Sequence, residues 1–532
     1  MANKPVYLRQ NVLAEPLFNN WYAWSYLIPP AQAAFYVANS HIKIMKSFVD
    51  SPQLHINALK NPAMMGGPFI RYDADRVDEI RALLNRTLDD QQPLIEFAEG
   101  VKSLQTTLSS EATGSSLEPL YLKVPEPLRG FVELAYDTGN VPSIRFIEGL
   151  IYKSWFYNSS WQSFDFSLID RDDRSFVYST PRLPEEGHMR IDVPFDHEGV
   201  DELFDMKSVP RPLGQIKEML GVRGGEPLFS SFFTEEMAPP PPPRYSGDGV
   251  RVRYFGHACL FIESAETSIL TDPLISYKFD TGIARYTYAD LPDRIDYAVI
   301  THNHQDHCMF ESLLQLRHKI GTVVVPRSNG GSLADPSLKM TLMSIGFRNV
   351  VEIDEAETLK IDGGSITGLP FLGEHADLNV RSKLAYLMTL KNRSVLCAAD
   401  SNNIEPRLYE HVKRFVKKAD AIFLGMECDG APLSWLYGPL LDKPPARKVD
   451  QSRRLDGSDF EKAIKIVDLL DPSHVYVYAM GQEPWLTYLT SIQYTPQSRP
   501  IVESNKLIEA CQSRGITAER LFGHKDIFLD AA

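Results

Sequence analysis

The segment HNHQDH at residues 302–307 restricts the fold of this chain more than any other part of the sequence. It directly follows DYAVIT, a short apolar run of the kind that forms a buried strand. A tight turn after a strand lets alternate side chains point to one place. His302 and His304 can therefore hold one cation while Asp306 and His307 hold a second. Because imidazole and carboxylate are natural ligands for zinc, iron or manganese, the sequence predicts a two-metal site.

A proline run divides the chain into two parts. The 532 residues are enough for about two to four domains. Five consecutive prolines, Pro239–Pro243, favour an extended polyproline helix that spaces folded units. We therefore predict an N-terminal accessory domain over 1–237, a linker over 238–246 and a catalytic domain over 247–532. The alternative is that the proline run packs along the surface of one domain.

The two parts differ in their pattern of apolar residues. The N-terminal part has helical spacing over 75–88 and 92–108, and short strand-like runs at 175–179 and 189–193. This predicts an α+β domain, and it contains no catalytic motif, so we expect it to mediate dimerisation or to cover the active site. The C-terminal part starts with a strand meander at 250–271 and continues with alternating strands and helices, which predicts an α/β fold.

Composition narrows the partners and the compartment. The net charge of 55 − 69 = −14 argues against binding to nucleic acid or to an anionic membrane. The first residues do not resemble a secretory signal, and no apolar run approaches the roughly 20 residues that span a bilayer. The five cysteines are scattered and form no C-x-x-C pair. We therefore expect a cytoplasmic protein without disulfides.

The H-x-H-x-D-H run resembles the signature of the metallo-β-lactamase superfamily. Members of that superfamily begin with a similar meander and carry an early aspartate, which matches Asp272. The resemblance implies an αββα sandwich with the metals at one edge, a further ligand downstream and then a bridging aspartate. Glu374 in LGEHAD falls at the first of these places, and Asp400 in CAADSNN falls at the second.

Two departures from the superfamily pattern concern the metal ligands. Hydrolases usually have a histidine where this chain has Glu374, and another after a late strand, whereas the strand 474–479 leads into Met-Gly-Gln. The implied ligands are His302, His304 and Glu374 on one ion, and Asp306, His307 and Asp400 on or toward the other. Three carboxylates suit iron at least as well as zinc. Other residues weighed as ligands or neighbours of the metals are His257, His375, Asp377, Glu427, Asp429 and His524.

The whole pattern resembles the diiron β-hydroxylases of nonribosomal peptide synthesis. It shares their long N-terminal domain, the loop THNHQDH, the glutamate in LGEHAD and the aspartate in CAADSNN. The resemblance implies an O2-dependent monooxygenase with two iron ions, in which Glu374 and Asp400 are catalytic residues. O2 would be the co-substrate and an external reductase would supply electrons, because the chain has no flavin or nicotinamide fingerprint.

The same resemblance implies the partner and the substrate. The partner is the aminoacyl carrier domain of a nonribosomal peptide synthetase, and a homodimer is expected. In the chloramphenicol-type branch, the amino acid is p-aminophenylalanine. Two basic clusters are candidates for carrier docking: Lys413, Arg414, Lys417 and Lys418, or Arg447, Lys448, Arg453 and Arg454. The alternative function is a dizinc hydrolase of a thioester, lactone or phosphodiester.

Overall fold

The structure is a computed structural model that describes residues 4–61 and 64–530. In its N-terminal part the strands are β1 (Pro5–Leu8), β2 (Val12–Phe18), β3 (Trp21–Tyr22), β4 (Val132–Tyr136), β5 (Pro142–Phe146), β6 (Gln162–Leu168), β7 (Met189–Ile191), β8 (Arg211–Pro212) and β9 (Phe233–Thr234). The helices are α1 (Pro30–Tyr36), α2 (Ile42–Asp50), α3 (Pro52–Leu59), α4 (Val77–Asp90), α5 (Gln92–Glu111), α6 (Glu148–Ile151), α7 (Glu198–Asp205), α8 (Leu213–Met219) and α9 (Glu226–Ser231). The mixture of helices and small sheets confirms the α+β prediction.

One predicted strand of the N-terminal part is wrong. Helices α4 and α5 and strand β7 lie where the apolar spacing placed them, but residues 175–179 form a loop. The backbone of this loop bonds elsewhere: Val177 N donates to Tyr488 O at 3.0 Å. Alternating apolar residues therefore indicate here a segment that packs against the C-terminal part, not a paired strand.

Helices α1 and α2 are joined without a break by a π-helical turn, Val37–His41. Such turns are rare and frequently occur at functional sites. The turn ends at His41, whose imidazole stacks on the indole of Trp21 with ring centroids 3.9 Å apart. Both side chains are buried.

The C-terminal part contains the remaining strands and helices. The strands are β10 (Val250–Gly256), β11 (Cys259–Glu263), β12 (Ser268–Thr271), β13 (Ile295–Val299), β14 (Ile320–Pro326), β15 (Val350–Ile353), β16 (Thr358–Ile361), β17 (Gly364–Pro370), β18 (Leu384–Leu390), β19 (Arg393–Cys397), β20 (Ala421–Gly425), β21 (His474–Tyr478), β22 (Thr517–Arg520) and β23 (Lys525–Leu529). The helices are α10 (Phe310–Leu316), α11 (Leu338–Ser344), α12 (Arg407–Val412), α13 (Leu433–Tyr437), α14 (Arg447–Ser452), α15 (Phe460–Leu470), α16 (Thr487–Thr490) and α17 (Arg499–Gln512).

These elements form two facing seven-stranded sheets. The strand order is β15-β14-β13-β12-β11-β10-β23 in the first and β16-β17-β18-β19-β20-β21-β22 in the second. Apolar side chains from both sheets share one buried cluster, which includes Val252 and Met388. Helices α12, α15 and α17 pack on the outer face of the second sheet, and α10 and α11 pack on the first. This confirms the αββα metallo-β-lactamase sandwich.

The outer layer of the first sheet is shared with the N-terminal part. Ile300 after β13 and Phe310 of α10 belong to the same buried apolar cluster as Trp24 and Phe35. Between β9 and β10 the chain has no helix or strand. The hydrophobic cores of the two parts are continuous. The domain boundary at 238–246 therefore stays a prediction. Within the described residues, no helix is long and apolar enough to cross a bilayer.

Buried ion pairs also connect the two parts. Arg174 of the N-terminal part lies 2.7 Å from Glu311 of α10 and pairs at the same time with Glu15 of β2. Arg182 completes the network on Glu15. Glu311 also accepts hydrogen bonds from Tyr22 and Tyr277 at 2.9 and 2.8 Å. Since α10 directly follows the 302–307 segment, this network fixes the N-terminal part against the predicted metal site.

A half-buried carboxyl at the junction makes stability depend on pH. Glu148 of α6 accepts from Ser337 N at 3.0 Å, and burial raises its pKa from 4.5 to about 7. Below pH 4.5 the group is neutral in both folded and unfolded states. Between 4.5 and about 7 only the unfolded state ionises, so the free energy of unfolding falls by about 3 kcal/mol.

We expect Glu148→Gln to remove that loss, because glutamine keeps a hydrogen-bond acceptor and has no charge. The measurement is urea unfolding of both proteins from pH 4.5 to 8. The difference in stability should grow with pH and level off above about 7. The exposed Glu118 provides a control, since E118Q should follow the wild type at every pH. Parallel curves for wild type and E148Q would contradict the assignment.

Candidate metal centre

Asp272 organises the start of the site. It follows β12, next to the end of β13, with φ of 36°. Its carboxylate accepts from Thr301 N and from Thr301 Oγ1, both at 2.7 Å, and lies 2.8 Å from His307 Nδ1. Thr301 Oγ1 donates to Asp272 and can therefore accept from His302 Nδ1 at 3.0 Å. Both histidines thus carry a proton on Nδ1 and turn Nε2 toward the centre.

His304, unlike His302 and His307, turns its Nδ1 toward the centre. Its Nδ1 lies 2.7 Å from Glu374 Oε1, while its Nε2 lies 2.8 Å from the hydroxyl of Tyr437 in α13. The second oxygen of Glu374 lies 3.7 Å from His302 Nε2. Nε2 of His302 and Nδ1 of His304 therefore converge on one carboxylate. Tyr437 is 133 positions from His304 in the sequence, and no local motif signals its role.

A left-handed turn selects Glu374 over its neighbour Asp377. The φ values of Gly373, Glu374, Ala376 and Asp377 are 71°, 63°, 50° and 57°. A Cβ on Gly373 would lie 2.6 Å from Asn402 Cβ, so only glycine fits there. The turn buries Glu374 and His375 but leaves the Asp377 side chain 77% exposed and facing Arg453. Asp377 is therefore separated from the centre.

His257 lies beside the centre and faces Asp306. Its Nδ1 accepts from Gly481 N at 3.2 Å, so a neutral ring carries its proton on Nε2. That nitrogen lies 3.3 Å from Asp306 Oδ2. Glu483, which accepts from His257 N at 3.3 Å, occupies the region after β21 where hydrolases have a histidine. His524 is distant from the centre and packs against Tyr286.

Among the described residues, three clusters of donor atoms could hold a metal ion. In each cluster, the atoms lie within 4.8 Å of one another: His302, His304 and Glu374; His302, His307 and Asp400; and His257, Asp306 and His307. Asp400 follows β19 and lies 3.0 Å from His307 Nε2. The structure thus brings together all six residues selected from the sequence.

The charges of the site are set by burial and by mutual proximity. Burial opposes ionisation of Glu374, yet His304 and His375 lower its pKa to about 2. Burial also opposes protonation of His307, but Asp400, Asp306 and Asp272 raise its pKa well above the usual range. For His302, burial and the neighbouring His307 both lower the pKa. Nearby positive charge therefore stabilises the carboxylates of this cluster.

Buried polar atoms without hydrogen-bond partners show whether the site suits cations. His302 Nε2, Glu374 Oε2 and Asp400 Oδ1 are buried without hydrogen-bond partners. Such atoms are costly in a folded protein unless a ligand satisfies them. Imidazole nitrogens and carboxylate oxygens are donors that iron accepts. The residues present therefore fit a pair of iron ions.

A cavity of about 250 Å³ leads to these donor atoms. His304, Asp306, Glu374 and Asp400 line it on one side. Further charged lining comes from Glu427, Asp429 and Arg454. Burial, followed by the nearby Asp400, raises the pKa of Glu427 well above 4.5. A substrate in the cavity therefore lies against the Glu427 carboxyl group as well as the metal donors.

We expect Tyr437→Phe to weaken iron binding by about 10–100-fold, since changes to groups that orient a ligand typically have that effect. The phenol holds His304 Nε2, and its loss lets the ring rotate. The measurement is iron retained during titration with a chelator. Tyr409→Phe is the matched control, because the Tyr409 hydroxyl is buried without a partner in α12. Equal iron retention in both variants would contradict the role of Tyr437.

Comparisons with known proteins agree with this geometry. Residues 7–237 match the family described as the diiron non-heme β-hydroxylase N-terminal domain, and residues 267–435 match the β-lactamase superfamily domain. A 4-amino-L-phenylalanyl-[CmlP-peptidyl-carrier-protein] 3-hydroxylase from Streptomyces venezuelae is 42% identical over 97% of this chain and 98% of its own length.

Two solved structures cover almost the whole chain. The crystal structure of CmlA, a diiron β-hydroxylase from Streptomyces venezuelae, has a TM-score of 0.93 at 40% identity, covering 99% of this chain and 100% of that one. A mutant of CmlA β-hydroxylase has a TM-score of 0.91 at 40% identity, covering 98% and 100%. The fold, the donor cluster and this full-length similarity lead to one conclusion: the chain belongs to the diiron non-heme β-hydroxylases.

Proposed function

We propose that this enzyme uses O2 to hydroxylate the β-carbon of 4-aminophenylalanine, held as a thioester on a peptidyl carrier protein of nonribosomal synthesis. The observation that carries the proposal is Glu374, a carboxylate placed against His302 and His304 where hydrolases of this fold have an imidazole. The carrier-bound 4-aminophenylalanyl group is the substrate in the name of the Streptomyces venezuelae relative. Chloramphenicol-type antibiotic synthesis is the corresponding pathway class.

We assign the metal ligands from the donor clusters and from the ligand set that the sequence implies. His302, His304 and Glu374 would hold one iron, and Asp306, His307 and Asp400 would hold the other. His302, His307 and Asp400 also converge, which brings the two sites close together. In this assignment His257 faces Asp306 and is not a ligand, because Nδ1 accepts from Gly481 N and a neutral ring then carries its proton on Nε2.

The protein holds the two irons, orients their ligands and shields the reacting carbon from water. When bound, the two irons supply the binding and activation of O2 for insertion of one oxygen atom into a C–H bond. Asp272 and Tyr437 fix the imidazoles of His307 and His304. Glu374 and Asp400 act as the catalytic carboxylates that complete the two sites. Burial of these groups keeps bulk water from the reacting carbon.

Mass spectrometry of the carrier-bound amino acid tests the function. Iron-loaded enzyme is incubated with 4-aminophenylalanyl carrier, a chemical reductant and isotopically labelled O2. A gain of one labelled oxygen atom on the amino acid is expected, and zinc-loaded enzyme should give none. Release of the free amino acid without oxygen incorporation would overturn the proposal and favour hydrolysis. We further propose that an external reductase supplies the electrons, so a chemical reductant should replace it.

We propose that the carrier docks beside the metal cavity, on α14. Arg454 lines that cavity, and Arg447 and Lys448 are exposed nearby. Carrier domains present acidic docking surfaces, so charge reversal at Arg447 and Lys448 should raise KM about tenfold for the carrier substrate. KM for a short pantetheine thioester should not change. The pair K417E/K418E on the other basic cluster is the control, and equal effects from both pairs would contradict this docking face.

We also propose a homodimer and a cytoplasmic location. The N-terminal part exposes large apolar side chains, with Leu122 84%, Trp155 68% and Val141 59% exposed. Such side chains are candidates for a subunit interface. Sedimentation equilibrium should give twice the chain mass, and a monomer at all concentrations would contradict the dimer. The five cysteines are buried free thiols, which fits a reducing compartment.

A further inference from the structure

A second cavity lies between the two parts of the molecule, next to the metal centre. Its volume is about 330 Å³, and its lining is mainly apolar and aromatic. The aromatic walls come from six residues of the N-terminal part: Trp21, Tyr22, Trp24, Tyr36, Phe176 and Tyr178. Trp435 and Leu436 of α13 complete the wall from the catalytic side. Aromatic walls of this kind suit a planar ring, which gains by stacking as well as by burial.

The second cavity and the metal cavity share a wall. Gly66, Trp435 and Leu436 line both of them. Trp435 Nε1 donates to Gly66 O at 3.1 Å, which fixes the indole at the junction. The same short helix carries Tyr437, which contacts His304. The aromatic cavity therefore adjoins the metal cavity at Trp435, which places it beside a substrate whose reacting carbon lies at the metals.

The lining offers unpaired polar groups: Trp21 Nε1 and Tyr178 Oη are buried without partners among the described residues, and His41 lies with them in the wall. His41 ends the π-helical turn and stacks on Trp21. Across the described ranges, its ring nitrogens have no hydrogen-bond partner in the protein. Burial lowers its pKa to about 3, so the imidazole is neutral and offers an acceptor lone pair. A polar group left unpaired in apolar surroundings is costly, unless a ligand supplies the partner.

We propose that this cavity binds the arylamine side chain of the carrier-bound amino acid, with the ring between the aromatic walls and its amino N–H donating to His41. The inference rests on the proposed function and specifies how the enzyme selects its substrate. The ring amine is a weak base, so it enters uncharged and needs an acceptor rather than a carboxylate. A neutral imidazole beside stacked aromatic rings meets that need. Glu427 and Asp429, which line the metal cavity, are left to face the α-amino group.

Substrate selectivity of single variants tests the inference. The substrates are carriers loaded with 4-aminophenylalanine, phenylalanine or alanine. His41→Phe keeps the stacked ring and removes the acceptor. The ratio of kcat/KM for 4-aminophenylalanine over phenylalanine should fall about tenfold, as for a lost hydrogen bond. His318→Phe is the matched control, because the ring nitrogens of His318 have no partner among the described residues and line a different cavity, so the ratio should not change.

A second variant fills the cavity. Ile44 of α2 lines it and is 8% exposed, so Ile44→Trp should reduce kcat/KM about tenfold or more for both aromatic substrates. Turnover of the alanyl carrier should not change. Circular dichroism and iron content confirm that each variant is folded and loaded. If I44W slowed all three substrates alike, the cavity would hold the shared pantetheine arm, and the inference would be wrong.

A binding measurement separates this inference from the proposed function. Trp21, Trp24 and Trp435 line the cavity, so 4-aminophenylalanyl-pantetheine should quench intrinsic fluorescence. Quenching that is lost in I44W and weakened in H41F supports the inference, even if no carrier substrate is hydroxylated. Hydroxylation by the wild type, with unchanged binding and selectivity in both variants, would overturn the inference and leave the proposed function standing.

Discussion

Replacing Glu374 with alanine is expected to reduce bound iron from two ions per chain to one and to lower hydroxylation at least about a hundredfold. Changes to residues that merely orient metal ligands cost about 10–100-fold, and loss of a ligand should cost more. Glu374 is buried, and its two oxygens lie 2.7 Å from His304 Nδ1 and 3.7 Å from His302 Nε2. The measurements are metal analysis of the purified protein and product formation by mass spectrometry.

Asp377→Asn is the matched control for Glu374→Ala. It changes a carboxylate in the same turn, but that side chain is 77% exposed and faces Arg453. D377N should keep two irons and full activity. Iron loss in D377N, or two retained irons in E374A, would show that the turn presents a different carboxylate when metal is bound.

Glu311→Ala is expected to lower the free energy of unfolding by about 3–5 kcal/mol, the usual cost of removing one partner from a buried ion pair. The change leaves Arg174 with one carboxylate instead of two and takes the acceptor from Tyr22 and Tyr277. Because the network joins the N-terminal part to α10, iron affinity should fall as well. Urea unfolding measures the first effect, and chelator titration measures the second.

The control is a solvent-exposed pair of the same type. Arg129 and Glu126 lie 2.9 Å apart with side chains 59% and 83% exposed. Glu126→Ala should cost no more than about 1 kcal/mol, since water screens exposed pairs. If E311A and E126A destabilised the protein equally, Glu15 alone would suffice for Arg174, and the proposed connection between the two parts would not hold.

The sequence by itself determined the features that depend on local pattern. The apolar run DYAVIT followed by HNHQDH predicted the strand and the loop of the metal site, and the meander predicted the first sheet. The spacing of apolar residues and the position of a strand end depend on neighbouring residues, so they can be predicted from the sequence. The resemblance then placed Glu374 and Asp400, and the structure brings both to the loop.

Tertiary structure alone decided which polar groups face the metals and what covers them. The left-handed φ angles at Glu374 and Asp377 point one carboxylate inward and the other outward, although three positions separate them. Tyr437 reaches His304 from a distant helix, and His41 reaches the second cavity from the N-terminal part. The direction of a side chain depends on backbone dihedral angles and on packing between remote segments. A short stretch of sequence determines neither these dihedral angles nor this packing.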